Sequence, residues 1–247
     1  DMLNHLSSCK SPQGMLSPVM KELLNKYHDG YNKDNVVVVS IMPCTSKKYE
    51  AKRSQLMRDN KFETDYVLTT QEFGRMIKEA GIDFKTLEEE KADSPFGEYT
   101  GAATIFGASG GVAEAAARTA YYLVTGENLP SADIKEMRGV DKNSRSKTIK
   151  LNIKGTEVVV RVVSTLKQAE KAIQEIKSGT ADFYLLEVMA CPGGCVNGGG
   201  QPRSCDNAKV KEERAEGLYK EDTGLVRYSH ENKDVQKLYK ENLEKQG

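Results

Sequence analysis

Apolar positions along the chain fall into two periods. Runs of β-branched and bulky residues at 36–41, 65–68, 156–163 and 182–188 predict strands, the last because Phe183, Tyr184, Leu185, Leu186 and Val188 stand close together. Helical spacing appears between them. Leu16, Val19, Met20, Leu23 and Tyr27 mark a stripe over 14–27, which tolerates Pro18 only near its first turn. Phe73, Met76 and Ile77 supply the inward face of a helix through Ala80, opened by a Thr69/Glu72 capping box and stopped at Gly81. An alanine-rich helix follows Gly110 and Gly111 over 112–124, and another over 166–178 lies between a Thr165/Gln168 capping box and Gly179. Helices over 210–219 and through Val235, Leu238, Tyr239 and Leu243 close the chain. The remainder reads as a turn at 29–34, a charged exposed stretch at 85–93, an irregular segment at 95–108 and a long connection at 126–147 whose end, 142–147, is a solvated face. Strand, helix and strand over 156–188 predict a parallel crossover, so the fold class is α/β.

Two of these strands run into cysteines. The 182–188 run leads into Met189-Ala-Cys191-Pro-Gly-Gly-Cys195-Val-Asn-Gly-Gly-Gly-Gln-Pro202, and the 36–41 run into Met42-Pro-Cys44. The carboxyl edge of a sheet is where α/β proteins place their chemistry. Three residues separate Cys191 from Cys195, so two soft thiolates can reach two corners of one iron-sulfur cluster if Gly193 and Gly194 turn the backbone sharply. Glycines at 198–200 let amides approach a ligand closely. A glycine-rich loop with two reduced thiols and a zinc knuckle are the competing readings; the second lacks another close cysteine pair. Lys47 and Lys48 suit an anionic cofactor or, equally, a solvated helix start. The amides at Gly110 and Gly111 suit an anionic group or close packing of helix on sheet.

Four stretches carry a family resemblance: Leu6-Ser-Ser-Cys-Lys-Ser-Pro-Gln13, Met42-Pro-Cys-Thr-Ser-Lys-Lys-Tyr-Glu50, Gly101-Ala-Ala-Thr-Ile-Phe-Gly-Ala-Ser-Gly-Gly-Val-Ala-Glu114 and the segment from Glu187 to Pro202. With the spacing between them they cover nearly the whole chain, and it resembles the carboxyl-terminal part of the catalytic (H-cluster) domain of iron-only (FeFe) hydrogenases, the iron hydrogenase large subunit. The resemblance implies reversible oxidation of molecular hydrogen to protons and electrons. It also implies a six-iron cofactor, a 4Fe-4S cubane joined through a cysteine sulfur to a two-iron subcluster carrying carbonyls, cyanides and a bridging dithiolate. Carried over residue by residue, it makes Cys44, Cys191 and Cys195 cubane ligands, with Cys195 shared with the two-iron unit. Lys47 resembles the donor to one cyanide, Met42 and Met189 apolar walls, Gln13 and Pro43 polar neighbours, and Ser7 the hydroxyl of a proton route, with Glu50 beside the ligand loop. Two α/β lobes are expected, 1–125 as a truncated first lobe and 126–247 as the lobe carrying the cysteine pair. Each would hold a largely parallel sheet flanked by helices, with the cofactor cleft between them.

The family has a further cysteine motif upstream, supplying the fourth cubane ligand and the thiol that passes protons; it has no counterpart in this sequence, and Cys9 and Cys205 occupy no ligand position. The chain opens on Asp1 rather than Met, so a fragment of a longer enzyme is expected, inactive alone and with the cofactor absent or incomplete. Expected partners are the upstream part of the same polypeptide, a ferredoxin or other redox carrier or subunit, and cofactor maturation proteins. A non-catalytic iron-sulfur assembly or interaction protein, or a sensory hydrogenase, is the alternative.

Composition narrows the setting. The 36 basic and 36 acidic residues balance, which gives no broad attraction to nucleic acid or to an anionic membrane. No apolar run is long enough for a membrane span. Five cysteines without a secretory segment favour a reducing compartment, hence a cytoplasmic location. His5, His28 and His230 lack ligand spacing and read as surface or locally satisfied groups.

Overall fold

The computed structural model describes residues 2–93, 95–203 and 208–243; Cys205 lies outside the described residues. The chain divides into two compact units, 1–95 with 199–202, and 96–198 with 203–247. The expected boundary at 125/126 is corrected by this division. The helix that would have closed the first lobe packs its alanines on the strands that follow it, and four residues after the cysteine turn return to the first unit.

In the first unit, α1 (Pro12–Tyr27) is capped by Ser11, whose hydroxyl accepts the Gly14 amide at 3.2 Å. Pro18 is accommodated in the second turn, beyond the first-turn position expected of it. Of the predicted stripe, Leu23 is buried, Val19 and Met20 are half-buried, and Leu16 and Tyr27 are exposed. Gln13, Ser17 and Leu24 are buried as well, the polar pair being tolerated because the Ser17 hydroxyl bonds the Gln13 carbonyl and the Thr64 hydroxyl. Strand β1 (Val39–Met42) is followed by α2 (Ser46–Glu50), a small antiparallel pair β2 (Met57–Arg58) and β3 (Lys61–Phe62), and then β4 (Tyr66–Thr69). β1 and β4 pair in parallel with Met42 opposite Thr69. α3 (Thr70–Glu79) starts on the predicted capping box, with both reciprocal bonds formed between Thr69 and Glu72. Its inward face holds Phe73 and Ile77, while Met76 is exposed.

The second unit begins with two features absent from the sequence reading: a short helix α4 (Gly101–Thr104) and a 3-10 turn, Ile105–Gly107, within the stretch expected to be irregular. α5 (Gly111–Thr125) comes next, then β5 (Ser146–Ile153), β6 (Thr156–Ser164), α6 (Leu166–Ser178) and β7 (Leu185–Met189). β5 is a strand where a connection was expected to run to 147; Thr148 and Lys150 face outward while Ile149 and Ile153 are buried. β5 and β6 form an antiparallel hairpin, and β6 pairs in parallel with β7, so this sheet is mixed rather than largely parallel. Ile149, Val160 and Val162 on the sheet pack against Ala113 and Ala117 of α5, with Ile134 and Met137 beside them. Small side chains let the helix sit close to the strands. α7 (Ala208–Thr223), α8 (Lys233–Leu238) and a π-helical turn, Tyr239–Leu243, follow.

Candidate functional site: two cysteine loops

Cys44 follows β1 and lies half-buried before α2. Its loop is closed from the first unit's own late segment: the Gly200 amide bonds the Pro43 carbonyl at 2.9 Å, and the Gly200 carbonyl accepts the Gln71 amide at 2.9 Å. A Cβ at Gly200 would sit 2.9 Å from the Pro43 carbonyl carbon and 3.0 Å from the Cys44 nitrogen, so only glycine permits this approach. The backbone, rather than a side chain, therefore packs against the cysteine.

A polar chain lies beside that loop. Lys47 Nζ donates to Glu50 Oε2 at 2.5 Å, and both side chains are about one-fifth exposed. The Ser11 hydroxyl donates to Glu50 Oε1. Gln13 is buried; its Nε2 donates to the Lys47 carbonyl at 3.4 Å, whereas its Oε1 has no hydrogen-bond partner among the described residues. Ser11, not Ser7, is thus the hydroxyl bonded to Glu50. Ser7 lies in the exposed segment before α1, its oxygen accepting the Cys9 amide at 3.2 Å. Met42 and Pro43 are half-buried.

In the second unit the strand β7 delivers Met189, half-buried, and then Cys191. Gly193 and Gly194 both take positive φ, 85° and 102°. A Cβ at Gly194 would lie 2.6 Å from the Ser109 amide nitrogen, so this position needs glycine for both dihedral and space. The Gly194 amide closes the turn on the Cys191 carbonyl at 3.0 Å, and Cys195 opens a 3-10 turn to Asn197. Ser164, fully buried at the end of β6, staples this turn: its hydroxyl donates to the Cys191 carbonyl and accepts the Gly193 amide, each at 3.0 Å. Thr165 does not form the predicted capping box. Its φ is 89° and its amide is committed to the Met189 carbonyl at 2.7 Å, which turns the side chain away from capping geometry.

The anion at the amino end of α5 is an internal one. Glu187 on β7 accepts the Gly110 amide at 2.6 Å and the Ala113 amide at 2.8 Å. Burial pushes this carboxyl above its ordinary range, and the amides of Gly110, Ala113 and Val112 pull it back. Deeper in the unit, Arg118 is fully buried and bonds Glu114, Asp222 and the carbonyls of Ala132 and Arg227. Arg138 and Arg227 extend this network to Asp133. Asp133 is held at about 2 by its bonds to Arg227 and Arg138. The network escaped sequence reasoning because its partners lie up to 109 residues apart.

Cys9, Cys44, Cys191 and Cys195 form no disulfide. Among the described residues no three His, Cys, Asp or Glu side chains are arranged to hold a single metal ion. Cys191 and Cys195, in one glycine-enforced turn of the second unit, are soft donors that suit iron-sulfur ligation, and Cys44 is a thiol of the same kind on the first unit. No helix among the described residues is long and apolar enough to cross a membrane.

The profile of the iron only hydrogenase large subunit, C-terminal domain, matches residues 1–199, and that of the iron hydrogenase small subunit matches 208–247. The periplasmic Fe hydrogenase large subunit of Nitratidesulfovibrio vulgaris is 46% identical over 82% of this chain and 47% of its own length. The cytosolic Fe-S cluster assembly factor narfl of Xenopus tropicalis is 29% identical over 98% of this chain and 51% of its own length. The chain thus spans about half the length of these curated relatives. A solved structure of apo FeFe-hydrogenase HydA1 from Chlamydomonas reinhardtii, a cysteine-to-histidine variant, superposes with a TM-score of 0.81 at 36% identity, over 98% of this chain and 67% of that one. The chain therefore belongs to the family of the iron-only hydrogenase large subunit, C-terminal domain.

Proposed function

We propose that this chain is the cluster-holding part of an iron-only hydrogenase, with Cys44, Cys191 and Cys195 as thiolate ligands of a 4Fe-4S cubane and Cys195 shared with a two-iron carbonyl and cyanide unit. The observation that carries this is the Cys191–Cys195 turn, whose two positive-φ glycines and Ser164 staple fix a cysteine-bearing backbone without help from bulky side chains. Such a cofactor, when bound, supplies the metal centre at which protons and electrons interconvert with hydrogen.

The chain's own residues take supporting roles. Lys47 presents an ammonium whose orientation Glu50 fixes, placing N–H donors where a cyanide can accept them. Met42 and Met189 supply soft, apolar walls that exclude water. Gln13 offers a buried amide oxygen whose hydrogen-bonding capacity is unspent, and Pro43 is a further neighbour of the cofactor. Ser7 belongs to the proton route, and the Glu50 carboxylate, fixed by Ser11 and Lys47, stands beside the Cys44 loop. The partners are the upstream part of the polypeptide, a redox carrier such as ferredoxin, and maturation proteins, in the cytoplasm. A second reading, iron-sulfur assembly without hydrogen turnover, draws support from the similarity to narfl.

Anaerobic reconstitution of the 247-residue chain with iron and sulfide tests the ligand set. The wild type should bind a cubane, visible by iron content and electron paramagnetic resonance, and Cys191→Ala should lose it because a methyl group cannot ligate iron. Carbonyl and cyanide infrared bands and hydrogen turnover should be absent from this chain alone. Wild-type iron content in Cys191→Ala would overturn the assignment. Matured protein carrying the upstream segment separates the two readings: infrared bands with turnover support the hydrogenase, and a cubane without them supports the assembly factor.

A further inference from the structure

Among the described residues, the side-chain helix caps are made with neutral groups or with the helix's own first turn, and α5 departs from them. Ser11, Thr69, Thr100 and Asn232 each accept an amide at the start of their helices. α5 has Gly110 at that position and no side chain to offer. Its amides are met instead by a carboxylate 77 residues away in sequence, on the strand that delivers the cysteine turn. Capping needs an oxygen, not a charge. Burying an ionisable group to do it is the costlier choice.

The contacts join one segment to the cysteine-bearing backbone at two points. Glu187 Oε1 and Oε2 accept the Gly110 and Ala113 amides, which fastens the first turn of α5 to β7. One residue earlier, the Ser109 amide donates to the Gly193 carbonyl at 3.1 Å, inside the turn itself. The missing Cβ of Gly194 is what leaves room for the Ser109 backbone. Moving 109–113 would therefore move the backbone between Cys191 and Cys195. Each carboxylate oxygen accepts an N–H bond, and these bonds favour the anion while burial opposes it. Tyr219 feels the Glu187 charge together with those of Glu114, Arg138 and Arg118. Both arginines are already bonded to Glu114, so they do not cancel the Glu187 charge.

We infer that Glu187 is a positioning residue for the cysteine turn, and that its fixed negative charge lowers the reduction potential of the cluster held there. The second half rests on the function proposed above. An electron added to a cluster near a buried anion meets repulsion that little solvent screens, so the oxidised state is favoured.

Two variants and two readouts test this. In the cluster-free chain, Glu187→Gln keeps one acceptor oxygen and loses the other, so hydrogen exchange at Gly110 or Ala113 should accelerate about tenfold. Exchange in the 191–195 turn should rise with it. After reconstitution, the cubane potential should move upward in Glu187→Gln and return toward the wild-type value in Glu187→Asp, which restores the charge on a shorter arm. Unchanged exchange in the turn would overturn the positioning role, and equal potentials in wild type and Glu187→Gln would overturn the electrostatic one. If Glu187→Gln does not fold, Glu187→Asp decides both: faster exchange with an unshifted potential supports the inference, and a potential displaced as far as exchange is disturbed refutes it. A wild-type chain that takes up no cubane sinks the functional reading instead, and the exchange data still judge Glu187.

Discussion

Arg118 shows what a single residue carries in this protein. It has no solvent exposure, and its five N–H donors are spread over two carboxylates and two carbonyls. A guanidinium suits this because its planar fork fixes several partners at once. Replacing it with methionine, which fills similar volume, should leave Glu114 and Asp222 buried with less compensation. The expected loss is about 3–5 kcal/mol, read from the urea midpoint. Arg138 and Arg227 remain on those carboxylates, so the double variant Arg118→Met/Asp222→Leu should recover part of it. A midpoint for Arg118→Met within error of wild type would show that the neighbouring arginines suffice. The alanine-rich pattern of α5 gave no hint of the network: Arg118 at a surface-like spacing from Glu114 reads in sequence as an ordinary pair on a helix face.

At the scale of elements, α3 is set by its first turn. The Thr69 hydroxyl accepts the Glu72 amide at 3.1 Å, and the Glu72 carboxylate returns to the Thr69 amide at 2.8 Å. Thr69→Ala should cost about 1 kcal/mol in a urea denaturation series. Glu72→Gln should cost less, since it keeps an acceptor. The capping-box spacing at Thr165 and Gln168 looked the same in sequence and behaves differently, because the Thr165 amide serves the Met189 carbonyl and φ moves to 89°. One box sits where the chain is free to satisfy its own helix; the other sits where the strand beside it has taken the amide. β5 was passed over for a related reason. Ile149, Leu151 and Ile153 alternate with the outward Thr148, Lys150 and Asn152, and only pairing with β6 shows which side is core.

The whole molecule should respond to acid through its carboxylates. Asp133 is held at about 2 by Arg227 and Arg138, and Asp222 is lowered too, burial opposing and the Arg118 and Arg227 bonds prevailing. A depressed carboxyl contributes stability that is fully present above its ordinary value near 3.8 and is lost as pH falls through the folded value. Melting temperature should therefore be flat above pH of about 5 and fall steeply below about 4, and Asp133→Asn should flatten that fall. An acid profile identical in Asp133→Asn would remove this residue from the transition. The sequence alone determined the α/β class, the strands that run into Cys44 and Cys191, the Thr69/Glu72 cap and the glycine turn, because each depends on residues only a few positions apart. It also carried the family, since those motifs are local strings. Tertiary structure decided which side of α1 is buried, where the compact units divide, that Ser11 rather than Ser7 meets Glu50, and that Glu187 fills the amino end of α5. Each of these joins residues tens of positions apart, and pairing at that range depends on how the elements pack, which no local periodicity records.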